Sequence, residues 1–275
     1  MDKKLLVRGM VATVLGIILI VGAVFALFPL KGHSGSYILA TPYPEQNETY
    51  PVVRTVSQEL TDEDVRHIET LFNASKDSAL EVSRHAGTFR YSIPDKYYPY
   101  FTGAQPDIPS DEEARIIATR FLRERGLLPG NTRFSGVSFG SGYGECDGHS
   151  CVEYVLTKRV TFEREVHGIP VYGGGITVTI GESGEVVGVD WNIRDFEPVP
   201  DRYVRIITPE EAYGRLLSDQ LIMLPMSGRE GVVRDISLVY WERDYGEYLP
   251  VYAFSTDSRK FYVWAVDSTR REDVK

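Results

Sequence analysis

Glu165-Val166-His167-Gly168-Ile169-Pro170-Val171-Tyr172-Gly173 is the stretch on which the reading of this chain turns. Gly168 and Pro170 set a sharp bend, because glycine reaches backbone angles closed to other residues and proline fixes its own φ. Pro170 also withholds one ladder hydrogen bond, as at a strand start, an edge or a bulge. On both sides of the bend the period is two. Upstream, Val152, Tyr154, Leu156, Val160 and Phe162 share one strand face, with Lys158 interrupting; Glu153, Thr157, Arg159, Thr161 and Glu163 share the other. Downstream, Ile176, Val178 and Ile180 alternate with Thr177 and Thr179. Gly181-Glu182-Ser183-Gly184 supplies a turn, and Val187, Val189, Trp191 and Ile193 then alternate with Gly188, Asp190, Asn192 and Arg194. This is the pattern of an antiparallel sheet with one buried and one wet face. Gly173-Gly174-Gly175 lies inside it and reads as a bulge or bend.

The cover for the buried face precedes the sheet. Ser110 and Glu113 have capping-box spacing, and Ala114, Ile117, Ala118, Phe121 and Leu122 form one apolar stripe ending at Gly126. Arg115, Arg120, Arg123 and Arg125 fall mostly off that stripe, on a solvated face. The pattern recurs after Pro198 and Pro200, which read as a joint. Thr208-Pro209-Glu210-Glu211 is a second capping box with proline at the first helical position, and Ala212, Tyr213 and Leu216 form the buried side. Strand-like runs follow at Ile236–Trp241, Leu249–Phe254 and Phe261–Val266. The fold class is therefore α+β, with two helix-plus-antiparallel-sheet units at 110–197 and 198–275.

Residues 56–109 precede them. Thr61 opens a helix with Val65, Ile68 and Phe72 on one face and Asp62, Glu63 and Asp64 in its first turn, where the helix dipole favours acids. A polar strand-like piece covers roughly Leu80 to Ser92. Pro94, Pro99, Pro106 and Pro109 then break regular structure around Tyr97, Tyr98, Tyr100 and Phe101, which read as a loop pinned by its aromatics.

At the N-terminus, Lys3, Lys4 and Arg8 precede Gly9 to Leu30, 22 residues without a charge. As a helix they reach about 33 Å, enough to cross a hydrocarbon core of about 30 Å. The positive-inside rule places the N-terminus in the cytoplasm and residues 31–275 outside. Residues 1–30 thus read as a cytoplasmic tip and transmembrane anchor. The competing reading is a cleaved signal peptide, with Val24-Phe25-Ala26 at the cut; the apolar run continuing through Leu27, Phe28 and Leu30 speaks for the anchor. Residues 31–55, rich in Gly, Ser, Pro, Glu and Asn, read as a linker holding the folded part off the bilayer. Asn47-Glu48-Thr49 and Asn73-Ala74-Ser75 are glycosylation sequons, with Asn47 and Asn73 as acceptors.

The composition is globular: 43% hydrophobic, 25% charged, 12% aromatic, with a net charge of −9. An acidic chain without a basic patch after its first ten residues speaks against nucleic-acid binding. The two cysteines, Cys146 and Cys151, flank Asp147-Gly148, a turn signal. Outside the membrane they read as a disulfide stapling a hairpin between strands near Ser135–Phe139 and Val152–Leu156. The sharper alternative is a metal site of Cys146, His149 and Cys151, which lacks a second ligand pair at usual spacing. Signatures of catalysis are missing: there is no His-Glu-x-x-His, no Gly-x-Ser-x-Gly and no phosphate loop. One constellation remains. Glu163, Glu165 and His167 alternate, so they would project from one strand face, able to bind a metal or move protons, if the strand runs that far. The bland reading is the wet face of an amphipathic strand. No cofactor is expected.

Arg164 through Gly173, with Ile176–Ile180, Gly184 and Val186–Val189, resembles the propeptide domains of thermolysin-like metallopeptidases, in which a Gly-Ile-Pro-Val-Tyr-Gly-like turn is followed by a hairpin with glycine at its tip. Thr208–Ala212, Leu238–Trp241, Leu249–Phe254 and Tyr262–Val266 resemble the PepSY domain, and more loosely the membrane-anchored regulators of Gram-positive histidine kinases. The resemblance covers roughly 110–267. It implies two PepSY-like units, and, since no peptidase domain follows in this sequence, a module that binds or inhibits another protein and is not an enzyme. The expected partner is a peptidase or a sensor. Gly168, Ile169, Pro170, Val171, Tyr172 and Gly173 are the candidate binding motif, and a neighbouring edge strand could pair with another chain. The alternatives are a corner between strands for the motif, and for the protein a structural cell-envelope component or an enzyme using Glu163, Glu165 and His167.

Overall fold

The computed structural model describes residues 36–56, 59–72, 77–97, 99, 103, 105–146, 151–223, 230–244, 246–257 and 259–266. The expected span Gly9–Leu30, Asn73, and the Asp147–Ser150 loop tip lie outside these residues. No described helix is long and apolar enough to cross a membrane.

The elements run β1 (Ser36–Leu39), β2 (Thr49–Val56), α1 (Asp62–Phe72), β3 (Ala79–Ser83), β4 (Thr88–Ser92), α2 (Pro94–Tyr97), α3 (Asp111–Glu124), β5 (Thr132–Cys146), β6 (Cys151–Val166), β7 (Ile169–Ile180), a 3-10 turn (Glu182–Gly184), β8 (Val186–Asn192), β9 (Asp195–Arg205), α4 (Pro209–Leu217), β10 (Glu230–Val233), β11 (Asp235–Asp244), β12 (Glu247–Ser255) and β13 (Lys260–Trp264). Few helices and a large sheet make this an α+β fold. One antiparallel sheet has the order β3-β4-β8-β7-β6-β5. In the second, β12 pairs with β11 on one edge and with β13 and β2 on the other, and β9 pairs with β2. A parallel bridge between Val171 and Tyr240 joins the two sheets.

The first core lies between that first sheet and α1 and α3. The capping box forms: Glu113 N–H donates to Ser110 Oγ at 3.3 Å, and Ser110 N–H to Glu113 Oε2 at 2.9 Å. The stripe is where the spacing put it. Ala114, Ala118 and Leu122 are fully buried against Val160, Phe162, Ile176, Val178 and Ile180, with Ile117 and Phe121 partly buried beside them. Burying a leucine of this kind contributes about 2 kcal/mol. Gly126 ends the helix at φ 66°, the left-handed conformation of a helix C-terminus. Val65, Ile68 and Phe72 form the buried side of α1.

The second core is built on α4. Thr208 Oγ1 accepts from Glu211 N at 3.2 Å, but the return bond of a capping box is replaced by an ion pair from Glu211 to Arg215 at 3.3 Å. Ala212 and Leu216 pack on Leu238, Tyr240, Tyr252 and Phe254.

Three expectations change. Residues 31–55 are not a linker where described. They hold β1 and β2, and Tyr37, Val52 and Val53 belong to the second core. β2 pairs with β9, Thr49 opposite Arg205, a partner no local pattern can reveal. Pro198 and Pro200 are not a joint either; both lie within β9, an edge strand, where a missing donor costs nothing. The single strand expected over Leu80–Ser92 is a hairpin, β3 and β4.

Candidate functional site

The Glu165–Gly173 stretch is the corner at which the two sheets meet. β6 ends at Val166, and His167 and Gly168 follow with φ of 52° and 77°. Two consecutive positive φ values are what a tight two-residue hairpin turn needs to match strand twist. Glu165 then faces Pro170 and Val166 faces Ile169 in the ladder. Ile169, Pro170 and Val171 are buried, with Ile169 and Val171 in the second core. Beyond them β7 swings back into the first sheet. Gly173 takes φ 79° and its carbonyl accepts from Asn192 Nδ2 at 2.8 Å. At Gly175 a Cβ would lie 2.2 Å from the Phe162 carbonyl oxygen, so only glycine fits. The ladder shifts register opposite, between Glu163 and Glu165. Of the motif's side chains, Tyr172 alone faces outward, stacked on Trp241 at 3.9 Å. Tyr262 closes this cluster, 4.8 Å from Trp241, and burial pushes its hydroxyl up to about 12. Tyr172, Gly173, Arg194, Trp241 and Tyr248 line an open cleft of ≈ 450 Å³ beside the corner.

The expected Glu163, Glu165 and His167 face does not form. The strand stops one residue short of His167, which sits in the turn, so the alternation breaks. Arg133 of β5 takes both carboxylates, with Nε 3.2 Å from Glu165 and Nη2 3.8 Å from Glu163. Among the described residues, no cluster of three or more His, Cys, Asp or Glu could hold a metal ion. Sequence reasoning misses Arg164, 4% exposed, whose Nη2 donates to Asp195 Oδ1 at 2.5 Å. Burial lowers the pKa of its guanidinium and Asp195 opposes that shift. The signal is there to find: Arg164 has the parity of Val160 and Phe162, hence the buried face.

Next to the corner runs a long hairpin of β5 and β6. Cys146 and Cys151 close it with a disulfide, S–S 2.09 Å. That pairing excludes the Cys146, His149, Cys151 metal alternative. β5 pairs only with β6, so its outer edge is unpaired among the described strands. Phe139, at 57%, and Val152, at 50%, are exposed, as is Tyr143. The alternation puts Val152 on the buried face, but the hairpin reaches past the strands and helix that would cover it. Gly140 and Gly142 let the strands close: a Cβ at Gly140 would lie 2.5 Å from Thr157 Oγ1, and one at Gly142 2.7 Å from the Tyr154 carbonyl. Asn47 is exposed, as a glycan acceptor must be.

Residues 157–192 match the Fungalysin/Thermolysin Propeptide Motif. Among solved structures, the C-terminal domain of Bacillus megaterium YpeB is similar, with 15% identity and a TM-score of 0.35 over 76% of this chain and 94% of that one. An uncharacterized protein from Eubacterium rectale ATCC 33656 is similar at 12% identity and a TM-score of 0.41 over 82% of this chain and 85% of that one. Neither likeness bears on function at these scores. No curated protein matches the chain in sequence. The β6–β7–β8 hairpins around the corner, residues 157–192, thus carry a thermolysin-type propeptide motif.

Proposed function

We propose that this protein is a non-catalytic, membrane-anchored, extracytoplasmic module that binds and restrains another protein, a peptidase or a sensor. The observation that carries this reading is the propeptide motif at 157–192 with an unpaired strand edge next to it. An open edge offers a row of backbone donors and acceptors to an extended segment of a partner, and exposed side chains beside it give selectivity. On β5 those side chains are Phe134, Phe139 and Tyr143. The disulfide holds the arm in one register, which lowers the ordering cost of binding. The buried residues of Gly168–Gly173 then serve as scaffold, holding the arm's base to the second sheet.

Photo-crosslinkers at Phe139 and Tyr143 of the full chain, in its own membrane, test this. They should capture one peptidase or sensor repeatedly, and the same probe at Ser83 on the opposite β3 edge should not. Equal capture from both edges, or none from either, sinks the reading.

A further inference from the structure

We infer that the end of the molecule formed by the two-stranded β1–β10 sheet and the neighbouring β12–β13 turn lies directly against the outer surface of the bilayer, with Ile38, Arg259 and Lys260 meeting lipid headgroups. This rests on the anchored reading above and adds an orientation to it.

The argument starts from the length of chain between the apolar run and the first strand. Leu30 ends the uncharged stretch and β1 begins at Ser36, with Lys31-Gly32-His33-Ser34-Gly35 between. Fully extended, six steps reach at most about 20 Å. The headgroup layer on one side already takes about 6 Å of that. A linker of twenty-five residues would allow a reach of about 80 Å; six steps allow about a quarter of that.

Ser36 is firmly held. β1 pairs in parallel with β10, Ser36 opposite Glu230. Tyr37 is buried with its ring 4.9 Å from Phe261, and its carbonyl accepts from the Tyr213 hydroxyl at 2.9 Å. Gly231, opposite Tyr37, sits against Thr256 in the β12–β13 turn. So Ser36, that turn and the outward face of β1 share one end of the molecule. That end presents Ile38, 64% exposed, and the exposed cations Arg259 and Lys260. Asp257 in the same turn is paired with Arg234, and an exposed apolar side chain on an end that also carries exposed cations suits a lipid interface: the cations meet phosphates and the apolar group enters the acyl boundary.

Single substitutions Ile38→Cys, Lys260→Cys and, at the far first-sheet side, His85→Cys test this in the full chain. Each is labelled with an environment-sensitive fluorophore, the native cysteines being oxidised, and reconstituted in phosphatidylcholine–phosphatidylglycerol vesicles with headgroup quenchers. Most emission should be lost at positions 38 and 260, and none at 85. No loss at 38 and 260 from protein that stays with the vesicles through a carbonate wash overturns the orientation alone. Release of the protein by that wash overturns the anchored reading and the orientation with it.

Discussion

Arg164 Nη2 donates to Asp195 Oδ1 at 2.5 Å, from a side chain 4% exposed to one 45% exposed. The pair spans from the last residues of β6 to the first of β9, beside the corner where the sheets join. Removing the partner of a buried charge is worse than removing the charge itself. Asp195→Ala should lower stability by about 2 kcal/mol, less than for a fully buried pair because Asp195 is solvated. Arg164→Met, which keeps the stem's packing, should cost clearly less. Urea melts of both variants check the order; equal losses would show that the guanidinium's packing matters more than its charge.

The corner's glycines separate two reasons for needing glycine. Gly173 has φ 79° and open space where a methyl would sit, whereas a methyl at Gly175 would strike the Phe162 carbonyl at 2.2 Å. Gly173→Ala should therefore cost only the left-handed strain, about 1 kcal/mol. Gly175→Ala must push two paired strands apart and should cost several times as much, read as a drop in thermal midpoint.

Acid should loosen two helix starts. Glu113 is lowered below its ordinary value by hydrogen bonds from Ser110, and Asp64 by those from Thr61. A depressed folded pKa means that the unfolded chain binds protons first. The contribution is complete above the ordinary carboxylate range and is lost as pH falls through the depressed values. Glu113→Gln should flatten part of the acid limb of a pH–stability curve while leaving neutral stability only slightly lower. An unchanged acid limb would assign it to other carboxylates.

Reducing Cys146–Cys151 should act locally. A loop this short constrains the unfolded chain by about 2 kcal/mol, and the bond sits at an exposed arm tip, away from both cores. Amide exchange should rise across Ser141–Cys146 and Cys151–Tyr154 and stay slow in β7 and β8. If the reduced protein exchanges faster throughout, the arm is coupled to global stability.

What could be read from the chain alone was what its neighbours in sequence decide. Ser110–Glu113, Thr208-Pro209 and the 3.6-residue stripes set three helices, because caps and i, i+3, i+4 spacing act within a few residues. Strict alternation set β6, β7 and β8, and Cys-x4-Cys set the clip. The corner motif was legible as a bend and as a family resemblance. Tertiary structure decided what depends on distant partners. β2 counts as a strand because β9 and β12, roughly 150 residues or more along, complete its ladder, and loop closure over such lengths leaves no local trace. The join between Val171 and Tyr240 turns a corner into the seam of two sheets. The early end of β6 at Val166 takes His167 away from Glu163 and Glu165, and Arg133 claims both carboxylates. A period of two tells which way a side chain points only while the strand lasts; where it stops, and what waits across from it, is settled by packing.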